Sequence, residues 1–119
     1  MSIPGFFGQI AREGKIWAGF ALALDLGDEC ELLSLGVLPQ WRRTGIGAAL
    51  LRSTCLLACG RGADSITLEV AVDNTAALCL YERSGFTVAG RRANYYCRAG
   101  RAVDALVLRR RLVTAVPAT

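Results

Sequence analysis

The sequence predicts a single α/β domain over residues 1–119, built on a mixed β-sheet with the element order β-β-β-α-β-α-β-β. Three observations carry this. The middle of the chain alternates strand-like and helical patterns, which implies a right-handed crossover and two parallel strands. Apolar hairpins with turn-forming residues flank that unit on both sides. With 119 residues, 53% of them hydrophobic and 20% charged, the chain can bury one core but not two.

Phe6 to Ala11 and Lys15 to Leu24 are apolar, partly aromatic segments around the turn-like Arg12-Glu13-Gly14, and they read as a hairpin. Leu26-Gly27-Asp28-Glu29 forms the next turn, and Cys30 to Leu38 is the third strand, closed by Pro39. From Gly45 to about Cys59, the residues Ile46, Ala49, Leu50, Cys55 and Leu57 fall roughly at helical spacing, with Gly60 and Gly62 as stop signals. Ser65 to Ala71, rich in Ile, Leu and Val, is the fourth strand. Asp73-Asn74 then offers a cap for a helix with Ala77, Leu80 and Tyr81 on one face, ended by Gly85. Phe86 to about Tyr96 and Val103 to Leu112 form the last pair of strands, separated by Arg98-Ala99-Gly100-Arg101.

Composition removes several classes of function. The longest apolar run, Ile16 to Leu24, is half of the roughly 20 residues that a membrane span requires. Neither a secretory signal nor a membrane partner is expected, and a cytoplasmic location follows as the default. The chain has no histidine, which excludes Ser-His-Asp and Cys-His arrangements. Five cysteines without a C-x-x-C leave thiolates alone for zinc, at unsuitable spacings, so no metal is expected and the thiols read as reduced. Cys55 and Cys59, four residues apart in an apolar stretch, are expected to pack as small hydrophobes. Thirteen of the fourteen basic residues are arginines and the formal net charge is +4, a balance open to nucleic acid, a phosphorylated cofactor or an acidic partner.

The segment Arg42-Arg43-Thr44-Gly45-Ile46-Gly47-Ala48 lies between the third strand and the first helix. A strand running through a glycine-containing loop into a helix N-terminus offers free N–H groups and the positive end of a dipole to a pyrophosphate. Gly45 and Gly47 admit close backbone approach, and Arg42 and Arg43 add charge. The spacing is neither G-x-G-x-x-G nor a P-loop. Alone, it is also what a helix start with surface arginines looks like.

This loop resembles the acetyl-CoA motif [RQ]-x-x-G-x-[GA] of the GCN5-related N-acetyltransferase (GNAT) family, matched by Arg42, Gly45 and Gly47. Leu68-Glu69-Val70, the run Asn74 to Phe86, Asn94-Tyr95-Tyr96 and Asp104-Ala105-Leu106 are most similar to its RimI-like branch, which acetylates protein N-termini. The resemblance runs from about Lys15 to Leu112. It implies a GNAT fold with a sheet splayed at its centre, acetyl-CoA as co-substrate, and a protein or peptide N-terminus as acceptor rather than nucleic acid.

It also implies roles for particular residues. Backbone groups near Leu35 and Val37 would pair with pantetheine, with an N–H near Val37 directed at the acetyl oxygen, and the loop from Arg42 to Ala48 would hold the pyrophosphate. Tyr81 would be the general acid at the sulfur, the strongest of the side-chain candidates; the residue alone also reads as a core aromatic with a wet tip. Glu69 would be the base, acting through water; an α-amine of pKa about 7.7–8.0 needs only a weak one. Alternatively Glu69 faces solvent or pairs with an arginine. Asn74 would hold the pantetheine arm or cap its helix. Tyr95 and Tyr96 would line the acceptor groove or remain half-exposed strand aromatics. From the residues themselves, Arg91, Arg92, Arg98 and Arg101 make that end basic, as a functional rim or as no more than a solvated one.

Family members open with a strand and two helices that make one wall of the acceptor groove, and these are not legible here. The expectation is a sheet face around Trp17 and Phe20 left partly uncovered, closed by a second copy or a partner protein at the N-terminal hairpin.

Overall fold

The structure, a computed structural model, describes residues 5–112. Six strands and two helices follow one another in the expected order: β1 (Gly5–Glu13), β2 (Ile16–Asp25), β3 (Glu29–Val37), α1 (Ile46–Gly60), β4 (Ser65–Ala71), α2 (Thr75–Arg83), β5 (Thr87–Arg98) and β6 (Arg101–Arg111), with a short 3-10 helix over Pro39–Trp41. They form one sheet in the order β1-β2-β3-β4-β6-β5, in which only β3 and β4 run parallel.

Helix α1 packs over β1 to β4 because β2 presents small residues to it. Gly19, Ala21 and Ala23 alternate along that face, and a Cβ on Gly19 would stand 2.6 Å from the Gly36 carbonyl and 3.2 Å from Leu50 Cδ1. Leu50, Leu51, Thr54, Cys55 and Ala58 form the buried side of α1, whereas Leu57 is exposed, so the helix is rotated from the face that its sequence suggested. The core continues through Ile66, Leu68, Val70 and Leu108 to Tyr81 and Phe86. Asp25, 1% exposed, ties the end of β2 to the end of α1: its Oδ2 meets Arg61 Nε at 2.8 Å and its Oδ1 accepts the Gly27 N–H. Arg61 in turn lies over the Phe7 ring of β1.

The opposite face of the first hairpin is open. Phe6, Ile10, Phe20 and Leu22 share it by cross-strand register, and Trp17 stacks on Phe20. Phe6 is 70% and Ile10 58% exposed.

Of the four register shifts among the described strands, two bear on the site. In β3, Leu22 opposes Ser34 and Ala23 opposes Leu32, which leaves Leu33 as an extra residue. In β5, Arg92 opposes Ala105 and Tyr96 opposes Val103, so Ala93, Asn94 and Tyr95 stand against Asp104 alone. The last hairpin closes more tightly than its sequence suggested: Arg98 and Arg101 belong to the strands, and Ala99 and Gly100, both at positive φ, make a two-residue turn.

Candidate active site

The parallel ladder between β3 and β4 is short. It pairs Glu29 with Ser65, Cys30 with Ile66 and Glu31 with Thr67, and beyond the bulge at Leu33 the two strands part. A cleft of about 220 Å³ occupies the gap, lined by Leu32 to Leu35 on one side and Leu68 to Ala71 on the other, with Asn74, Ala77 and Tyr81 of α2 and with Tyr96 and Arg98 of β5.

The parted edge of β3 turns backbone groups into this gap. Leu38 N–H bonds to Ala18 on β2 at 2.8 Å; by the alternation of an extended strand, the N–H groups of Val37 and Leu35 point the other way, toward the cleft. The Val37 carbonyl accepts Arg42 Nε at 3.2 Å, which folds the loop back on the strand.

The loop from Arg42 to Ala48 leads from β3 into α1. Arg43 and Gly45 adopt positive φ, and the Thr44 hydroxyl bonds to the Trp41 carbonyl. The N-cap, Gly45, supplies no side-chain cap, and the first helical bond runs from Ala49 N–H to the Gly45 carbonyl. The N–H groups of Ile46, Gly47 and Ala48 are therefore left over by the helix. A Cβ on Gly47 would meet only Leu80 Cδ2 at 3.5 Å and Val37 Cγ2 at 3.7 Å. The fold tolerates a small side chain there, and the helix start lies beside both β3 and α2. An uncapped N-terminus with Arg42 and Arg43 exposed beside it fits a pyrophosphate. Ile46 packs on the core, so its contribution to such a site is its backbone.

Tyr81 is 8% exposed and stands edge-on to Phe86 with ring centroids 5.7 Å apart, yet it lines the cleft. Burial, with a smaller effect of Tyr96, raises its pKa above the ordinary phenol value, so it keeps its proton as a donor must. Glu69 lies on β4 between Leu68 and Val70, which belong to the helix-side core, and so reaches the cleft from the opposite face of the sheet. Its Oε1 meets Arg92 Nε at 3.2 Å; its Oε2 is buried with no hydrogen-bond partner of normal geometry among the described residues.

Tyr96 lines the cleft, whereas Tyr95 is half-exposed, edge-on to Tyr96 and close to Arg92. The Glu69 carboxylate beside it raises the Tyr95 pKa, as an acceptor for its proton and as a negative charge. Asn74 both caps and lines: its Oδ1 accepts the Ala77 N–H at 3.2 Å while the residue borders the cleft.

The basic rim is corrected by the structure. Arg91 pairs with Asp104, Arg92 with Glu69 and Arg98 with Asp73, each across two elements, so three of the four arginines are matched by carboxylates. The pairing of Glu69 with an arginine was one of the two readings open from the sequence, whereas the partners of Arg91 and Arg98 were not legible because each comes from a distant segment.

A sheet parted at its centre beside an uncapped helix N-terminus defines an acyl-CoA-binding fold of the GNAT type, and residues 2–86 match the acetyltransferase (GNAT) family. The chain belongs to that family. It is 37% identical over 100 residues to the ribosomal protein bS18-alanine N-acetyltransferase of Escherichia coli K12, covering 84% of this chain and 67% of that protein. It is 41% identical over 104 residues to the N-alpha-acetyltransferase RimI of Mycobacterium tuberculosis H37Rv, covering 84% and 63%. The crystal structure of the ribosomal-protein-S18-alanine N-acetyltransferase from Escherichia coli superimposes with a TM-score of 0.86 at 32% identity, over 93% of this chain and 72% of that one. The chain thus spans about two thirds of the length of these curated relatives.

Proposed function

We propose that the chain transfers the acetyl group of acetyl-CoA directly to the N-terminal α-amine of a protein or peptide, as its RimI-type relatives are named for doing. The observation that carries this is the cleft itself, which brings Tyr81 from the helix side and Glu69 from the opposite side to one gap between parted strands. The donor enters along β3, its pyrophosphate on the N–H groups of residues 46–48 with Arg42 and Arg43, its pantetheine against the backbone of Leu35 and Val37 and near Asn74. The amine arrives on the Glu69 side, past Tyr96 and Tyr95.

The chemistry then follows from position. Glu69, directly or through water, takes a proton from the amine as its nitrogen attacks the thioester carbon. An N–H near Val37 stabilises the oxyanion. As the carbon–sulfur bond breaks, Tyr81 gives its proton to the thiolate and is reprotonated from solvent. A cysteine relay has no support, because no cysteine lines the cleft, and burial raises the pKa of the Cys30 and Cys55 thiols.

The thiols of Cys30, Cys55, Cys79 and Cys97 are not in disulfides, which supports a reducing, cytoplasmic setting. The open apolar face of the first hairpin supports a covering second copy or partner protein. The deciding experiment measures CoA release against a panel of N-terminal peptides and small amines. Release with peptides supports the proposal, release with small amines alone reassigns the acceptor, and CoA binding without release leaves a CoA-binding module in its place.

A further inference from the structure

The last bulge of the sheet is built around a single carboxylate. Between the Arg92–Ala105 and Tyr96–Val103 pairs, β5 carries three residues and β6 carries only Asp104. Asp104 uses both oxygens on that excess: Oδ1 accepts the Asn94 N–H at 2.9 Å, and Oδ2 meets Arg91 Nε at 2.7 Å. Asn94 sits at φ +56°, a left-handed conformation that asparagine adopts more readily than other non-glycine residues, and the bond from its N–H to Asp104 fixes it there. The Asp104 backbone is fixed as well, its carbonyl accepting the Val72 N–H at 2.9 Å at the end of β4.

The consequence lies in which residues reach the cleft. In an unbroken ladder, Asn94 would oppose Val103; the two extra residues bring Tyr96 to that place instead. Tyr96 thereby lines the cleft, and Tyr95, the last residue of the bulge, stands beside Glu69 and Arg92. Without the bulge neither tyrosine occupies its position, although no atom of Asp104 lines the cleft.

We infer that Asp104 is a positioning residue for the acceptor: its clamp on Asn94 and Arg91 sets the β5 bulge that presents Tyr95 and Tyr96 to the incoming amine. This rests on the acetyl-transfer reading above. The donor side is built from β3, the loop, α1 and Asn74, none of which the Asp104 side chain touches, so the inference separates the two substrates.

The test is steady-state kinetics with the best acceptor peptide on wild type, Asp104→Asn and Asp104→Ala. Asp104→Ala removes both contacts and should raise the acceptor KM by about tenfold or more, as expected for misplaced positioning groups, with the acetyl-CoA KM within about twofold. Asp104→Asn keeps an acceptor for the Asn94 N–H and should fall between. In Asp104→Ala, adding Asn94→Gly, which takes positive φ without strain, should restore part of the loss. An acceptor KM unmoved in Asp104→Ala, or both KM values rising together, overturns the inference while leaving the acetyl-transfer reading intact. A wild type that releases CoA with no peptide defeats that reading and this one with it. Should Asp104→Ala fail to fold, amide exchange in the wild type decides: a protected Asn94 amide supports the clamp and an unprotected one overturns it.

Discussion

Arg92 Nε lies 3.2 Å from Glu69 Oε1, and the second carboxylate oxygen of Glu69 is left buried at the cleft. Pairing with arginine engages one oxygen of Glu69 and leaves the proposed base role to the other, beside the Tyr95 hydroxyl for which the carboxylate is an acceptor. Glu69→Gln should slow acetyl transfer by about tenfold to a hundredfold, at the mild end of general-base effects, because part of the amine is already neutral. The loss should grow as pH falls below the amine pKa. A pH–rate profile of Glu69→Gln parallel to the wild type would remove Glu69 from the proton path.

Tyr81→Phe should lower kcat by about 10² to 10⁴ with little change in donor affinity, the range for a lost general acid. Because burial raises the Tyr81 pKa, the protonated, active form persists to higher pH than a free phenol would allow. The wild-type kcat should accordingly show no alkaline loss from this group below about pH 10. Full activity in Tyr81→Phe would assign the ring to packing against Phe86 alone.

Gly47 separates folding from donor binding. A Cβ there makes ordinary contacts with Leu80 and Val37, so Gly47→Ala should leave the unliganded melting temperature nearly unchanged. The motif itself admits alanine at this position, so Gly47→Ala should also keep the rise in melting temperature caused by acetyl-CoA, whereas a bulky side chain, as in Gly47→Leu, should block the approach of a pyrophosphate to the N–H groups and abolish that rise. An undiminished rise in Gly47→Leu would place the donor phosphates elsewhere.

The order of elements, the Asn74 cap and the glycine at the start of α1 were legible because each is local, a matter of period or of turn chemistry over a few residues. The face of α1 was not, since Leu50, Leu51, Leu56 and Leu57 are apolar nearly all round the helix and only the small residues of β2 select which side is buried. The bulges at Leu33 and at Ala93 to Tyr95 were hidden for a related reason: register is a property of two strands, and the one at β5 depends on Asp104, ten residues beyond Asn94. Of the ion pairs near the last hairpin, only that of Glu69 with an arginine was open from the sequence, and the other arginines read as a rim until Asp73 and Asp104 were placed beside them.

Asp25 should matter for stability rather than chemistry. Asp25→Ala leaves Arg61 and the Gly27 N–H without the acid that joins β2 to α1. The expected cost is about 2 to 4 kcal/mol, below that of a pair buried on both sides because Arg61 is a third exposed. Urea unfolding measures it. A loss under about 0.5 kcal/mol would mean that the pair merely balances its desolvation.

The open face of the first hairpin gives the last prediction. Phe6, Ile10, Phe20 and Leu22 lie on the side of the sheet away from α1, the same side from which Glu69 reaches the cleft. A body covering that face would therefore stand beside the path of the acceptor. Exposed apolar patches of this kind mark contact sites, and β1 is also an edge strand with its outer ladder unpaired among the described residues. Sedimentation velocity at micromolar concentration should show self-association, and Ile10→Lys should shift it to the monomer without lowering acetyl-CoA binding, since β1 takes no part in the donor site. If the wild type sediments as a monomer, activity on a peptide should instead rise when the covering partner is supplied. A monomer with full activity alone would show that the face needs no cover and that the acceptor path is complete within the chain.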